Sequence, residues 1–181
     1  GIGGFVINGA SAGDRAGVSA SITGDVNGDG IDDVLVGAVN ADVDGIMDAG
    51  SSYVVFGKKD TTSVELSAVA GGNGGFIIKG AAADDSSGWI KSAGDVNNDG
   101  LVDMIVGSYQ ADPGGVSNAG SAHVIFGKAG TTAVNLTDIN AGNGGFSIHG
   151  ISADDEAGWD VSGGSDVNGD GLLDLVIGAS S

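Results

Sequence analysis

The feature that most restricts this chain is its period. Phe5, Phe76 and Phe146 open "GGFVINGASAGDRAG", "GGFIIKGAAADDSSG" and "GGFSIHGISADDEAG", spaced 71 and 70 residues apart. Acidic strings follow at a similar interval: "DVNGDGIDD" (25–33), "DVNNDGLVD" (95–103) and "DVNGDGLLD" (166–174). Next come "DVLVGA", "DMIVGS" and "DLVIGA", and then, in the first two copies, "GSSYVVFGK" and "GSAHVIFGK". The chain of 181 residues therefore holds about two and a half copies of one unit. A fixed period of this kind marks a repeat architecture in which each unit buries its apolar face on its neighbours. The copies run over about 5–75, 76–145 and, incompletely, 146–181.

Each unit reads as β. Its apolar runs are four to eight residues long, rich in Val, Ile and Phe, and bounded by Gly, Asn and Asp. No window sustains the i, i+3, i+4, i+7 spacing of an amphipathic helix, so helix is not expected beyond a turn. In the first copy the strands fall at 17–23, 33–38, 51–57 and 75–79. Four short antiparallel strands per repeat predict a β-propeller blade. The period exceeds the roughly 40–50 residues of common propeller repeats. The loops 39–50 and 58–73 absorb the excess. "DVLVGA" and its copies are continuously apolar, as suits a strand buried between blades. Phe5 to Asn8 is then the outer strand of a preceding blade, and the third blade stops after its second strand. Two and a half blades cannot close a ring. Flanking blades or another copy of the chain, through protein–protein contact, are expected to cover the open edges.

The acidic string places oxygen side chains at positions 1, 3, 5 and 9. These are Asp25, Asn27, Asp29 and Asp33; Asp95, Asn97, Asp99 and Asp103; and Asp166, Asn168, Asp170 and Asp174. Alternation at 1, 3 and 5 lets a curled backbone turn three side chains toward one centre. Gly30, Gly100 and Gly171 at position 6 suit a turn with positive φ. The main-chain carbonyl at position 7 (Ile31, Leu101, Leu172) can add a further oxygen. Hard oxygen donors without His or Cys select calcium, which takes 6–8 oxygens at about 2.3–2.6 Å. An EF-hand would need Glu at position 12 and flanking helices; here the last carboxylate opens a strand. Three close carboxylates without a cation would repel strongly. Three calcium sites are the expectation, against the plainer reading of a hairpin with Asx turns.

This order of motifs resembles the FG-GAP repeats of integrin α-subunit β-propellers, which also occur in bacterial surface and secreted proteins. The resemblance implies that each acidic loop holds calcium between two strands of one blade, and that complete domains close as seven blades. The "GAP" element reads "GAV", "GSY" and "GAS" here, without its proline. No integrin-style ligand-binding insert and no RGD-type tripeptide occur.

Charge and composition narrow the function further. A formal net charge of −18, from 24 acidic and 6 basic side chains, disfavours nucleic acid as a partner. No apolar run approaches a membrane span. No basic region followed by an apolar stretch marks a signal peptide, and the start at "GIGGFVING" without Met reads as the middle of a longer protein. Cysteine is absent, so there is no thiol chemistry. His123 and His149 read as strand residues, and a carboxylate loop repeated three times is unlike a single active site, so no enzyme is expected. Asp14, Asp85 and Asp155 read as shaping the turn before the innermost strand. Asp42, Asp44 and Asp48 read as a solvated loop. Trp89 and Trp159, where the first copy has Val18, read as blade packing, with sugar stacking as the alternative. The expected function is an extracellular or cell-surface, calcium-stiffened adhesive or structural module. The alternative is a propeller that binds carbohydrate or protein on its face.

Overall fold

The computed structural model describes residues 3–180, and it is built of blades as the repeat demands. The strands run in chain order β1 (Ile7–Asn8), β2 (Ser19–Ile22), β3 (Val34–Ala38), β4 (Ser51–Val55), β5 (Val64–Glu65), β6 (Gly75–Lys79), β7 (Trp89–Gly94), β8 (Asp103–Ser108), β9 (Ser121–Ile125), β10 (Val134–Asn135), β11 (Gly145–His149), β12 (Val161–Ser165) and β13 (Asp174–Ile177). Two short helices, α1 (Leu66–Ala70) and α2 (Leu136–Asn140), follow β5 and β10. The first blade is the antiparallel meander β2-β3-β4-β6, and the second is β7-β8-β9-β11. The third shows its first hairpin, β12-β13. No closed ring forms among the described residues.

The strand period sets the layers. Successive side chains point to opposite faces, and on β3 and β8 both faces are covered. On β3, Leu35 enters the core between the first and second blades, while Val34 and Val36 face the other way. On β8, Met104 and Val106 share Leu35's core, and Ile105 faces the third blade. Phe76 and Ile78 of β6 complete the first interface with Ile90 of β7. The continuous apolar runs of β3 and β8 are thus strands buried on both sides, as their composition implies, whereas Val176 in the third copy is 59% exposed. The first strands of consecutive blades, β2, β7 and β12, pack side by side and are innermost.

The segment 58–73, expected as a loop, is partly regular. Strand β5 pairs in parallel with β1, with Ile7 opposite Val64, and β10 pairs in parallel with β6, with Ile78 opposite Val134. Each repeat therefore adds a fifth, outer strand to the blade before it. That strap shields an edge whose amides would otherwise be unpaired. Phe5–Asn8 does behave as the outer strand of a preceding blade: β1 takes the place of β6 and accepts the strap. Helices α1 and α2 stay at five residues because only Leu66 and Val69, or Leu136 and Ile139, reach the core. Two apolar positions are too few to make a periodic signal.

Candidate functional site

The three acidic loops each lie between the first and second strands of a blade, and each curls around the side chain of its first residue. Asp25 Oδ1 accepts from the amides of Gly28 (2.7 Å) and Asp29 (3.1 Å), and its Oδ2 accepts from Gly30 (2.7 Å). Asp95 takes the amides of Asp99 and Gly100, and Asp166 those of Gly169, Asp170 and Gly171. Asn27 Oδ1 accepts from the Asp29 amide at 2.8 Å, and Asp29 Oδ1 from Ile31 at 2.9 Å; the second and third loops repeat both bonds. This nest of amides holds the carboxyls of Asp25 and Asp166 below the usual range, with the Gly30 and Gly171 amides as the largest causes.

The curl needs left-handed backbone at two places. Position 6 is at φ +83°, +92° and +87° (Gly30, Gly100, Gly171), as the glycines predict. Position 4 is left-handed too, at +82°, +61° and +81° (Gly28, Asn98, Gly169). The sequence carried that signal: Gly and Asn are the residues that adopt this conformation most readily.

The ninth position behaves differently from the first. Asp33 and Asp103 are fully buried. Asp33 Oδ2 accepts from the Val26 amide at 2.9 Å and its Oδ1 from the Gly57 amide at 2.8 Å. Asp103 is bound in the same way by Val96 and Gly127. Gly57 and Gly127 belong to the candidate site, and the spacing of the loop does not reveal them, since each lies 24 residues beyond its carboxylate. The sign was the "FG" after the third strand. A Cβ at Gly57 would stand 2.3 Å from the Asp32 carbonyl oxygen, so only glycine brings its amide this close.

Burial pushes the carboxyls of Asp33 and Asp103 up, and the two amides on each oppose that shift only in part. Their charged neighbours are carboxylates: Asp29 and Asp25 beside Asp33, and Asp99 beside Asp103. Among the described residues the two ion pairs are Lys58–Asp60 and Lys79–Asp44, and neither touches a loop. The carbonyls of Ile31, Leu101 and Leu172 accept no hydrogen bond among the described residues.

Chemically, each loop is an oxygen-only, anionic bowl with a free carbonyl at its lip. Its carboxylates are turned onto amides, and among the described residues no three Asp, Glu or His side chains converge closely enough to hold an ion by themselves. A carboxylate offers about four lone-pair sites, and the amides occupy two or three. The donor chemistry fits a hard cation: oxygen only, a free carbonyl, and a buried carboxylate with no basic partner.

The remaining candidates fall as follows. Asp85 Oδ2 accepts from the Ala82 amide and Asp155 Oδ2 from Ile151 and Ser152, so both shape their turns. In the loop 39–50, Asp42 binds the Asp48 amide and Asn40 binds the Asp48 carboxylate. Trp89 and Trp159 stack at 6.3 Å between blades, and Tyr109 meets Trp159 edge-on at 4.5 Å. No described helix is long and apolar enough to cross a membrane.

Compared with known families, residues 87–125 and 157–181 match the FG-GAP repeat. Each match takes in one acidic loop and the strands beside it. The unmatched first copy has the same loop bonds and the same blade. No curated protein matches the chain.

Proposed function

We propose that this array of FG-GAP repeats is a calcium-binding module of an extracellular or surface protein, acting as a structural or adhesive scaffold and not as an enzyme. Each loop would take one calcium on Asp25, Asn27, Asp29, Asp33 and the Ile31 carbonyl, and on the equivalent atoms of the other two loops. The ion supplies the positive charge that the loop lacks. The observation that carries this reading is the burial of Asp33 and Asp103 among carboxylates alone. A buried charge without a partner is costly, and a divalent cation offsets it. Sites of this type in extracellular modules bind at about 10⁻⁴–10⁻³ M, which suits calcium outside the cell. Threefold recurrence favours a scaffold over a single catalytic centre.

A second reading, glycan binding on the propeller face, is favoured by Trp159, which is 45% exposed and stacked in an aromatic group. Glycan-array binding abolished by Trp159→Ala would support it.

The test of the calcium reading is stoichiometry with stability. Calorimetric titration of stripped protein should give about three calcium ions per chain. A ligand bound to the native state alone at 100 times its Kd stabilises by about 2.7 kcal/mol per site, so a chelator should lower the Tm by many degrees. No uptake at millimolar calcium, or a Tm indifferent to the chelator, would leave the loops as Asx turns.

A further inference from the structure

Both histidines of the chain line one cleft of about 450 Å³ on the second blade. They come from neighbouring strands. In the β9–β11 register His123 stands opposite Ser147 and His149 opposite Ser121, so all four side chains share one face.

The hydroxyls fix how the rings are held. Ser147 Oγ donates its single proton to Asn140 Oδ1 at 2.7 Å. It can then only accept from His123 Nδ1, 2.9 Å away. The proton of the neutral His123 ring is thus on Nδ1, and Nε2 is a bare lone pair. His123 is 2% exposed, and its Nε2 takes no hydrogen bond among the described residues. Burial first, then the neighbouring His149, brings the His123 pKa down to about 4, against a smaller opposing effect from Asn140. His149 is tied through its Nδ1 to Ser121 Oγ at 2.8 Å, which directs its Nε2 away from that bond.

The rest of the cleft is anionic. Asp84, Asp85 and Asp112 line it, with Asp85 only 6% exposed, and none has a basic partner among the described residues. The first blade has the same cleft with different chemistry. Tyr53 and Lys79 replace the two histidines there, and the Lys79 ammonium is paired with Asp44 at 2.8 Å. The first cleft carries its own cation; the second has bare imidazole nitrogen in its place.

We propose that the cleft of the second blade binds one divalent cation of the zinc, nickel and copper class through Nε2 of His123 and His149. Among the described residues no group of three carboxylate or imidazole side chains forms, so water completes the coordination and Asp85 and Asp112 contribute field. Imidazole nitrogen suits these metals, whereas calcium takes oxygen. Each ring is held through Nδ1 by an oxygen partner, here a serine hydroxyl, which leaves Nε2 for a metal. The site stands apart from the acidic loops, which lie at the other end of the strands.

The experiment is a zinc titration of the full chain saturated with calcium, followed by calorimetry and by the ¹⁵N resonances of the two imidazoles. One zinc per chain should bind, and both Nε2 resonances should move. His149→Ala, at an exposed position, should keep the calcium-bound Tm and weaken zinc by at least about 10-fold, the lower end of what losing even an orienting partner costs a metal site. Failure of zinc to bind at millimolar concentration overturns the proposal. So does binding that leaves the imidazole resonances still, which assigns the zinc to the loops, or binding that His149→Ala leaves unchanged.

Discussion

The first and third acidic loops have nearly the same sequence, yet they differ in what surrounds them. In the first, Val26 is fully buried, and its loop is capped by the next repeat, whose Val102 amide donates to the Asp25 carbonyl at 3.0 Å. In the third, the equivalent Val167 is 75% exposed and Leu172 is exposed as well. Asp33 takes two amides, one of them from the hairpin that follows; Asp174 takes the Val167 amide at 2.8 Å and no other among the described residues. The inner curl is nevertheless the same, down to the bonds on Asp25 and Asp166. The curl is therefore a local property of nine residues, while the burial of the ninth carboxylate is a gift of neighbouring chain.

That contrast can be broken most forcefully at the ninth position. Without calcium, Asp33→Ala strands two amides, and each buried donor left unpaired costs about 1–3 kcal/mol. Asp174→Ala, where the single amide belongs to an exposed residue, should cost under about 1 kcal/mol. Urea denaturation of the stripped variants compares them; equal losses would mean that the neighbouring hairpin adds nothing. The second position gives a smaller difference. Val26→Ala should cost about 2 kcal/mol, from lost burial and a residual cavity, whereas Val167→Ala should stay within about 0.5 kcal/mol. Similar values at both sites would show that the third loop is covered in solution.

A buried carboxyl away from the loops should show itself in pH dependence. Burial first, then the charges of Asp112 and Asp84, raises the Asp85 pKa to about 6. The folded protein then holds a proton that the unfolded chain releases near 3.8. The contribution of Asp85 to stability is full below the unfolded pKa and is lost as pH rises through about 6. Asp85→Asn, which keeps an acceptor for the Ala82 amide, should be more stable than the parent at pH 7 and lose that advantage near pH 4. Denaturation curves at the two pH values measure the swing; a constant difference would place Asp85 in water.

Much of this was legible in the sequence because it is local. The four strands of the first blade lie within two residues of where runs of Val, Ile and Phe put them, and the curl of 25–33 follows from alternating Asp and Asn with glycines between. What was not legible is contact at a distance. Gly57 reaches Asp33 across a whole hairpin. Strand β5 is two residues long, and its partner β1 lies 57 residues away (Ile7 to Val64). A pairing so short and so distant has no period to announce it. The cleft histidines looked like ordinary strand residues because the hydroxyl that fixes the His123 tautomer, Ser147, is a neighbour only in the sheet.

The parallel strap has a consequence for how such a chain is made. The outer edge of the first blade is finished by Val134 and Asn135, which emerge from the ribosome more than fifty residues after β6. A growing chain thus always carries one blade whose last ladder is still open, and closes it only when the following repeat arrives. The outer ladder of each blade is thus completed by its successor, one repeat behind synthesis.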